Sequence, residues 1–270
     1  MRPESLAELK NLLVQETGLF FPPEKDYLLV SAVEKRLRLT QNPSPERYIK
    51  GLMANPEEFQ ELVNLLTIPE TYFMREFPFL DLAARVIVPR IISERDEAHV
   101  LSAGSATGEE AYSLIMLALH YNLPMDKIDV LGVDINTRSI MRAKQGVFGQ
   151  FSMRHADEPA RSIVSEFAIL GANGQFSLPD KLRGLVRFEF CNLLKGLGGL
   201  GPFDLVLLRN TLIYIQPGLR AKVLMNIRDA MSDGAYLILG QVEIPGGTFG
   251  IFSQERLEGL TIFVKKGQIK

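Results

Sequence analysis

The sequence predicts an α/β protein: a mostly parallel sheet with an antiparallel C-terminal edge, a small β insertion, and an N-terminal helical unit. Three observations carry this. From about residue 99 onward, short apolar runs alternate with amphipathic stretches, the pattern of a parallel sheet covered by helices on both faces. Before that, from Ser5 to about Arg75, the periodicity is helical only. After Gly240 a Pro/Gly-rich bend (Pro245-Gly246-Gly247) leaves little room for a crossover helix, so the last strand is expected to pair antiparallel.

Taken in order, Leu6, Leu9, Leu12 and Leu13 share one face of a first helix, and Gly18 fits its stop. Pro22-Pro23 marks the break before a second helix over about 24–39. Ser44-Pro45-Glu46 reads as a helix start with proline in the first turn, and Pro56-Glu57-Glu58 as another. Strands are expected at 100–103, 130–134, 186–190, 204–208, 235–239 and 261–265, with helices at 109–120, 137–144 and 219–231. The segment 146–187 is too long for a simple connection. Its Asn173-Gly174, between 167–170 and 175–178, is a hairpin signal and implies a small β insertion at about 147–187. The expected organisation is a helical unit over 1–75, a connecting helix over 76–98, and an α/β unit over 99–270.

Composition narrows the function. The chain has 270 residues, 46% hydrophobic and 23% charged, ordinary for a globular protein. A net charge of -2 does not favour nucleic acid. One cysteine, Cys191, excludes an intrachain disulfide, and three scattered histidines (His99, His120, His155) argue against a zinc site. The N-terminus carries Glu4, Glu8 and Lys10 rather than a leader, and no apolar run approaches the ~20 residues that span a bilayer. A cytoplasmic enzyme or binding protein is expected.

The stretch 100–134 is the most specific. An apolar strand enters a turn of small residues (Ser102, Ala103, Gly104, Ser105, Ala106, Gly108), a helix follows, and a second strand ends in Asp134. Small residues let the backbone approach a ligand, and an acid at that strand end can accept two ribose hydroxyl protons. The G-x-G-x-x-G spacing and a Gly-Lys-Ser/Thr are both missing, and Glu109 and Glu110 would repel a pyrophosphate. They suit a phosphate-free, positively charged cofactor such as S-adenosylmethionine. Helix capping is the plainer role for Asp134, which Asn136 or Thr137 could fill, and dipole compensation is the plainer role for the two glutamates.

Other candidates sit at carboxyl ends of strands. Asn192 follows 186–190 and either reads an adenine edge or makes an Asx turn. Arg209-Asn210-Thr211 follows 204–208, with Tyr214 beyond as a site residue or a packing aromatic; Asp204 reads as structural. In the junction 71–75, Arg75 holds an acidic group or bridges two domains. Lys35 and Arg38 share a helix face with Arg36 adjacent, a solvated face or a dock for an acidic partner.

In this order the pieces resemble the CheR family of chemotaxis receptor methyltransferases along nearly the whole chain. Glu16-Thr17-Gly18 and the basic RLR at 36–38 begin the resemblance. TYFMRE (71–76) is close to T-x-F-F-R-E, and SAGSATGEEAYS (102–113) to SAGCSTGEEPYS. GVDIN (132–136), CNLL (191–194), DLVLLRNTLIYI (204–215, beside DLIFCRNVLIYF) and Gly240 to Glu243 (beside G-H-S-E) complete it. The resemblance implies a cytoplasmic, Rossmann-like S-adenosylmethionine-dependent methyltransferase that releases S-adenosylhomocysteine. It would esterify glutamates on the helical cytoplasmic part of chemoreceptors. It implies cofactor contacts at Thr71, Arg75, Gly104, Glu110, Asp134, Asn192, Leu193, Asn210 and Thr211, with Arg75 and Tyr214 nearest the chemistry and Lys35, Arg36 and Arg38 facing the receptor. In some members the β insertion captures a receptor C-terminal peptide. A monomer without a metal is expected.

The chain departs from the family at Pro69, Met74, Ala111, Leu208 and Gln241-Val242, while the ribose acid, the arginine, the Arg-Asn pair and Glu243 are kept. Two other readings remain open at this point: a non-catalytic member that binds receptor or signalling partners, and a methyltransferase for another acceptor.

Overall fold

The structure is a computed structural model and describes residues 1–155, 157–244 and 247–267. Four helices come first: α1 (Pro3–Thr17), α2 (Asp26–Thr40), α3 (Pro45–Gly51) and α4 (Pro56–Leu66). Their starts follow local chemistry. Ser44 accepts the Arg47 N–H and Asn55 accepts the Glu58 N–H, each ahead of a proline that has no N–H to satisfy. Gly18 ends α1 at φ 76°, the left-handed stop that glycine adopts without strain. Leu9, Leu13, Leu29, Val33, Ile49, Leu62 and Val63 form this unit's own buried core.

The junction 76–98 holds α5 (Phe77–Leu82), a π-helical turn (Ala83–Ile87) and α6 (Val88–Arg95). Pro89 explains the widened turn: it cannot donate, and the Val88 N–H instead reaches back five residues to the Ala83 carbonyl.

The α/β part then runs β1 (Ala98–Ala103), α7 (Glu109–His120), β2 (Ile128–Asp134), α8 (Thr137–Gln145), β3 (Val147–Phe148) and α9 (Ala160–Phe167). It continues with β4 (Ile169–Leu170), β5 (Phe176–Ser177), α10 (Asp180–Arg183), β6 (Val186–Phe190), β7 (Phe203–Leu208) and α11 (Arg220–Asp229). It ends with β8 (Met231–Leu239), β9 (Ser253–Leu257) and β10 (Leu260–Val264). The main sheet has the order β6-β2-β1-β7-β8-β10-β9. Its first five strands are parallel; β10 is antiparallel to both β8 and β9. The chain therefore makes a mostly parallel sheet with an antiparallel C-terminal edge, as its patterning predicts. The edge hairpin pairs Ser253–Leu257 with Leu260–Val264, and its turn carries Glu258-Gly259. Gly247 of the expected bend is described, whereas Pro245 and Gly246 lie outside the described residues.

Each sheet face has its own apolar core, one under α7 and one under α11. The small sheet β3-β5-β4 is antiparallel, and its β4–β5 turn is the Asn173-Gly174 pair, at φ 56° and 72°. β1 is the strand at which the chain reverses direction across the main sheet, between β2 and β7. A crevice opens at such a switch point, outside the carboxyl ends of the strands.

Candidate active site

That crevice is a pocket closed from outside by the helical unit. Thr17, Leu19, Phe20, Leu66 and Ile68 form one wall; Gly104, Ala106, Glu110, Asp134, Asn192, Asn210 and Thr211 form the sheet side. Thr71, Arg75 and Tyr214 join them. All nine residues expected at the cofactor, and both expected nearest the chemistry, thus line one cavity.

The helical unit is fastened at two seams. Gln60 donates to the Ile135 carbonyl (2.8 Å), Asn64 accepts the Thr137 N–H (3.0 Å), and Asn136 donates to Thr67 Oγ1 (2.7 Å). Across the pocket, Leu19 bridges Ile215, the Phe20 N–H donates to the Tyr214 carbonyl (2.9 Å), and the Gln216 N–H donates to the Gly18 carbonyl (2.8 Å). The backbone that carries Tyr214 is therefore zipped to the loop after α1.

Asp134 is not the helix cap. Asn136 caps α8, accepting from Arg138 and Ser139, while Asp134 accepts the Ala106 N–H (2.9 Å) and the Asn136 N–H (2.8 Å). No cation pairs with Asp134 among the described residues, and burial pushes its carboxyl above the usual carboxylate range against those backbone donors. It is an acceptor at the carboxyl end of β2, held by the turn after β1.

Glu110 serves a different purpose from its neighbour. It accepts from Ser102 (2.7 Å) and from Arg209 (2.8 Å), whose side chain is only 1% exposed. Burial raises its carboxyl, and Arg209 opposes that shift. Glu109 accepts from Thr107 (2.6 Å) and Ser152 (2.8 Å), tying α7 to the insertion. Neither acid is merely a dipole partner.

Arg75 donates to the Glu70 carbonyl (3.0 Å) and lies 5.5 Å from the Tyr72 ring centroid, rather than bridging two domains through a carboxylate. Asn192 makes the Asx turn: its Oδ1 accepts the Leu194 N–H (3.0 Å), and its Nδ2 donates to the Glu16 carbonyl (2.7 Å). Its amide is thus engaged on both sides, and the pocket meets it beside Leu193 rather than as a free amide. Asp204 supports β1, accepting the His99 N–H (3.1 Å). Gly104, at φ 82°, allows a close approach: a Cβ there would sit 2.3 Å from Thr211 Oγ1.

The three basic residues of α2 do not share one face. Lys35 and Arg38 are exposed, but Arg36 is 9% exposed and bonded to Glu58 through Nε (2.8 Å) and Nη2 (2.6 Å). Tyr48 completes that pair with a 2.6 Å bond to Glu58. Charge alone suggested a surface role for Arg36; the helical period places it inward.

Sequence reasoning gave no role to three other groups. Arg209 also donates to the Arg75 carbonyl and pairs with Glu76 (3.4 Å). Glu76, held at φ 50°, accepts the Gln241 N–H (3.0 Å). Glu243 binds three backbone N–H groups. Their burial could not be read from a linear pattern, although each lies inside a quoted motif.

The donor set suits S-adenosylmethionine. Among the described residues Asp134 has no basic partner, and Lys25 is the one lysine that lines the cavity, far short of a phosphate cradle; Arg209 is largely neutralised by Glu110 and Glu76. Arg209 Nε is buried without a partner, an unpaired donor of the kind a ligand carboxylate satisfies. The chain matches the CheR methyltransferase all-alpha domain over residues 4–67 and the CheR methyltransferase SAM binding domain over residues 69–256. It is 29% identical to chemotaxis protein methyltransferase 2 of Vibrio cholerae, covering 95% of this chain and 91% of that protein. It is 27% identical to chemotaxis protein methyltransferase 1 of Pseudomonas aeruginosa (87% and 89% covered). It is 29% identical to the probable biofilm formation methyltransferase WspC of the same organism (87% and 56%). A helical unit seated over the switch-point crevice, and matches that run across both parts, place this chain in the CheR methyltransferase family, with S-adenosylmethionine as its cofactor.

Proposed function

We propose that this protein is a protein-glutamate O-methyltransferase that esterifies glutamate side chains on the cytoplasmic helices of chemoreceptors, acting in the cytoplasm as a monomer. The observation that carries the reading is the convergence of Arg75 and Tyr214 with Asp134, Glu110, Asn210 and Thr211 in one cavity roofed by the helical unit. Relatives named chemotaxis protein methyltransferase support it. Among the described residues no helix is long and apolar enough to cross a membrane.

Bound S-adenosylmethionine supplies a methyl group on a sulfonium leaving group. The residues do the rest. Asp134 would accept the ribose hydroxyls. Arg209 Nε and Glu110 would hold the amino-acid end, with Asn210, Thr211, Asn192 and Leu193 around the remainder. A glutamate side chain is already ionised at neutral pH and needs no general base. Arg75, free of any carboxylate partner among the described residues, orients the acceptor carboxylate, and Tyr214 walls the cavity beside it. Alignment and exclusion of water are then the main tasks. One C–O bond forms as one C–S bond breaks, with no net proton transfer.

The exposed Lys35 and Arg38 of α2 would meet the acidic receptor helix. The edge strand β4, with Leu170 86% exposed, is where a receptor C-terminal peptide would add. The test is transfer of labelled methyl to a receptor cytoplasmic fragment, followed by alkaline release of methanol. Base-labile label lost with Arg75→Ala is expected. No label in the fragment, with cofactor binding intact, would overturn the substrate assignment.

A further inference from the structure

We infer that Glu243 is a positioning residue that sets the loop Asn210–Tyr214 against the cofactor, an inference that rests on the site reading above. Glu243 is 8% exposed and does not line the cavity. Its Oε2 accepts the backbone N–H of Asn210 (2.8 Å) and of Gly240 (3.0 Å), and its Oε1 accepts the backbone N–H of Ile213 (3.3 Å). One carboxylate thus staples the loop after β7 to the end of β8.

The geometry around the staple is exacting. Asn210 sits at φ 55°, the left-handed region that few L residues other than Asn adopt readily. The bond that Glu243 makes to its N–H fixes it there. Gly240 is where the two segments touch: a Cβ there would lie 2.7 Å from the Asn210 nitrogen and 2.9 Å from Glu243 Oε2. Glu76 grips the same place from the other side, accepting the Gln241 N–H (3.0 Å) and facing Asn210 Nδ2 (3.4 Å).

The chemistry of this carboxylate argues for a purpose. Glu76 and Glu110 share Arg209, but no cation pairs with Glu243 among the described residues. Burial pushes its carboxyl up against the pull of the backbone donors. A buried acid without a counter-ion is costly. Retaining it is intelligible if its value lies in holding three N–H groups in one arrangement, which places Asn210, Thr211 and Tyr214 at the cavity.

The test is titration calorimetry with S-adenosylhomocysteine on Glu243→Ala, Glu243→Gln, Gly240→Ala and the Glu243→Ala/Gly240→Ala double variant, with melting temperature measured on each. Gly240→Ala keeps the carboxylate but crowds both Asn210 and Glu243 Oε2, so the proposal stays testable if Glu243→Ala fails to fold. The expected result is at least tenfold weaker binding for Glu243→Ala and for Gly240→Ala. The double variant should be no more than about threefold worse than either. Glu243→Gln should fall between, since its single oxygen can still accept from Asn210 and Gly240. Folded variants that bind within threefold of the wild type, with only the melting temperature changed, would overturn the role. So would additive losses in the double variant. Because the readout is cofactor affinity, an error about the methyl acceptor would show separately, as wild-type protein that binds cofactor but leaves the receptor unlabelled.

Discussion

Replacing Asp134 should cost the protein most of its cofactor affinity. Its carboxylate spans the turn after β1 and the start of α8 through bonds to Ala106 (2.9 Å) and Asn136 (2.8 Å). Those bonds aim its remaining lone pairs at the cavity. Hydrogen bonds to a charged group contribute roughly 1.5–3 kcal/mol each, so two ribose hydroxyls account for about 3–6 kcal/mol. At about 1.4 kcal/mol per tenfold, Asp134→Ala should weaken S-adenosylhomocysteine binding by roughly 10² to 10⁴. Asp134→Asn should be intermediate, because its amide sets an N–H donor against one of the two backbone donors. Stability should fall less than affinity: the two freed N–H groups lose an acceptor, but a carboxyl whose pKa burial has raised is also removed. The assay is calorimetry at neutral pH with a thermal melt on each variant. A folded Asp134→Ala that binds within threefold of the wild type would refute the placement of the ribose.

Arg209→Met should be a stability lesion rather than a clean activity lesion. It leaves Glu110 and Glu76 without their shared cation, at about 3–5 kcal/mol for a broken buried pair, read as a lower denaturant midpoint. An unchanged midpoint would contradict the central role given to that pair. Glu109→Gln tests a pH effect. Burial raises the Glu109 carboxyl, so the folded chain holds its proton more tightly than the unfolded chain does. The stability this contributes is complete below the unfolded value of about 4.3 and is lost as pH rises through the folded one. The variant should therefore show a smaller drop in melting temperature than the wild type as pH rises from about 4 to neutrality; an equal drop would sink the assignment. On α2, Lys35→Glu with Arg38→Glu should reduce receptor methylation and spare cofactor affinity, whereas Arg36→Glu should unfold the helical unit by opposing Glu58. Equal melting temperatures for the two would contradict the inward placement of Arg36.

Much of this protein was determined by local sequence. The alternation of apolar runs specified the parallel strands, because a strand buried on both faces reads as a continuous hydrophobic segment. Asn173-Gly174 specified a hairpin, since few other pairs tolerate positive φ at both turn positions. The sheet-side pocket residues Gly104, Asp134, Asn192, Asn210 and Thr211 were legible because they sit at or just after the carboxyl ends of strands, whereas Thr71 and Arg75, in the junction, were legible only through the TYFMRE motif. Other features were decided only when distant segments met. Arg36 is one of three basic residues in RLR and its neighbour; its helical spacing from Leu29, Ala32 and Val33 turns it inward, but only the packing of α2 on α4 supplies Glu58 as its partner. Asn192 could read a base or make an Asx turn until α1 brought the Glu16 carbonyl within 2.7 Å. The zipper from Gly18–Phe20 to Tyr214–Gln216 joins the N-terminal helices to the α/β part. The grip of Glu76 on Gln241 joins residues 165 apart. Periodicity is a property of neighbours along the chain, whereas burial, ion pairing and backbone strain depend on which neighbours folding supplies. That is why the strands and the cavity were legible in advance, and why the charges that hold the cavity's shape were not.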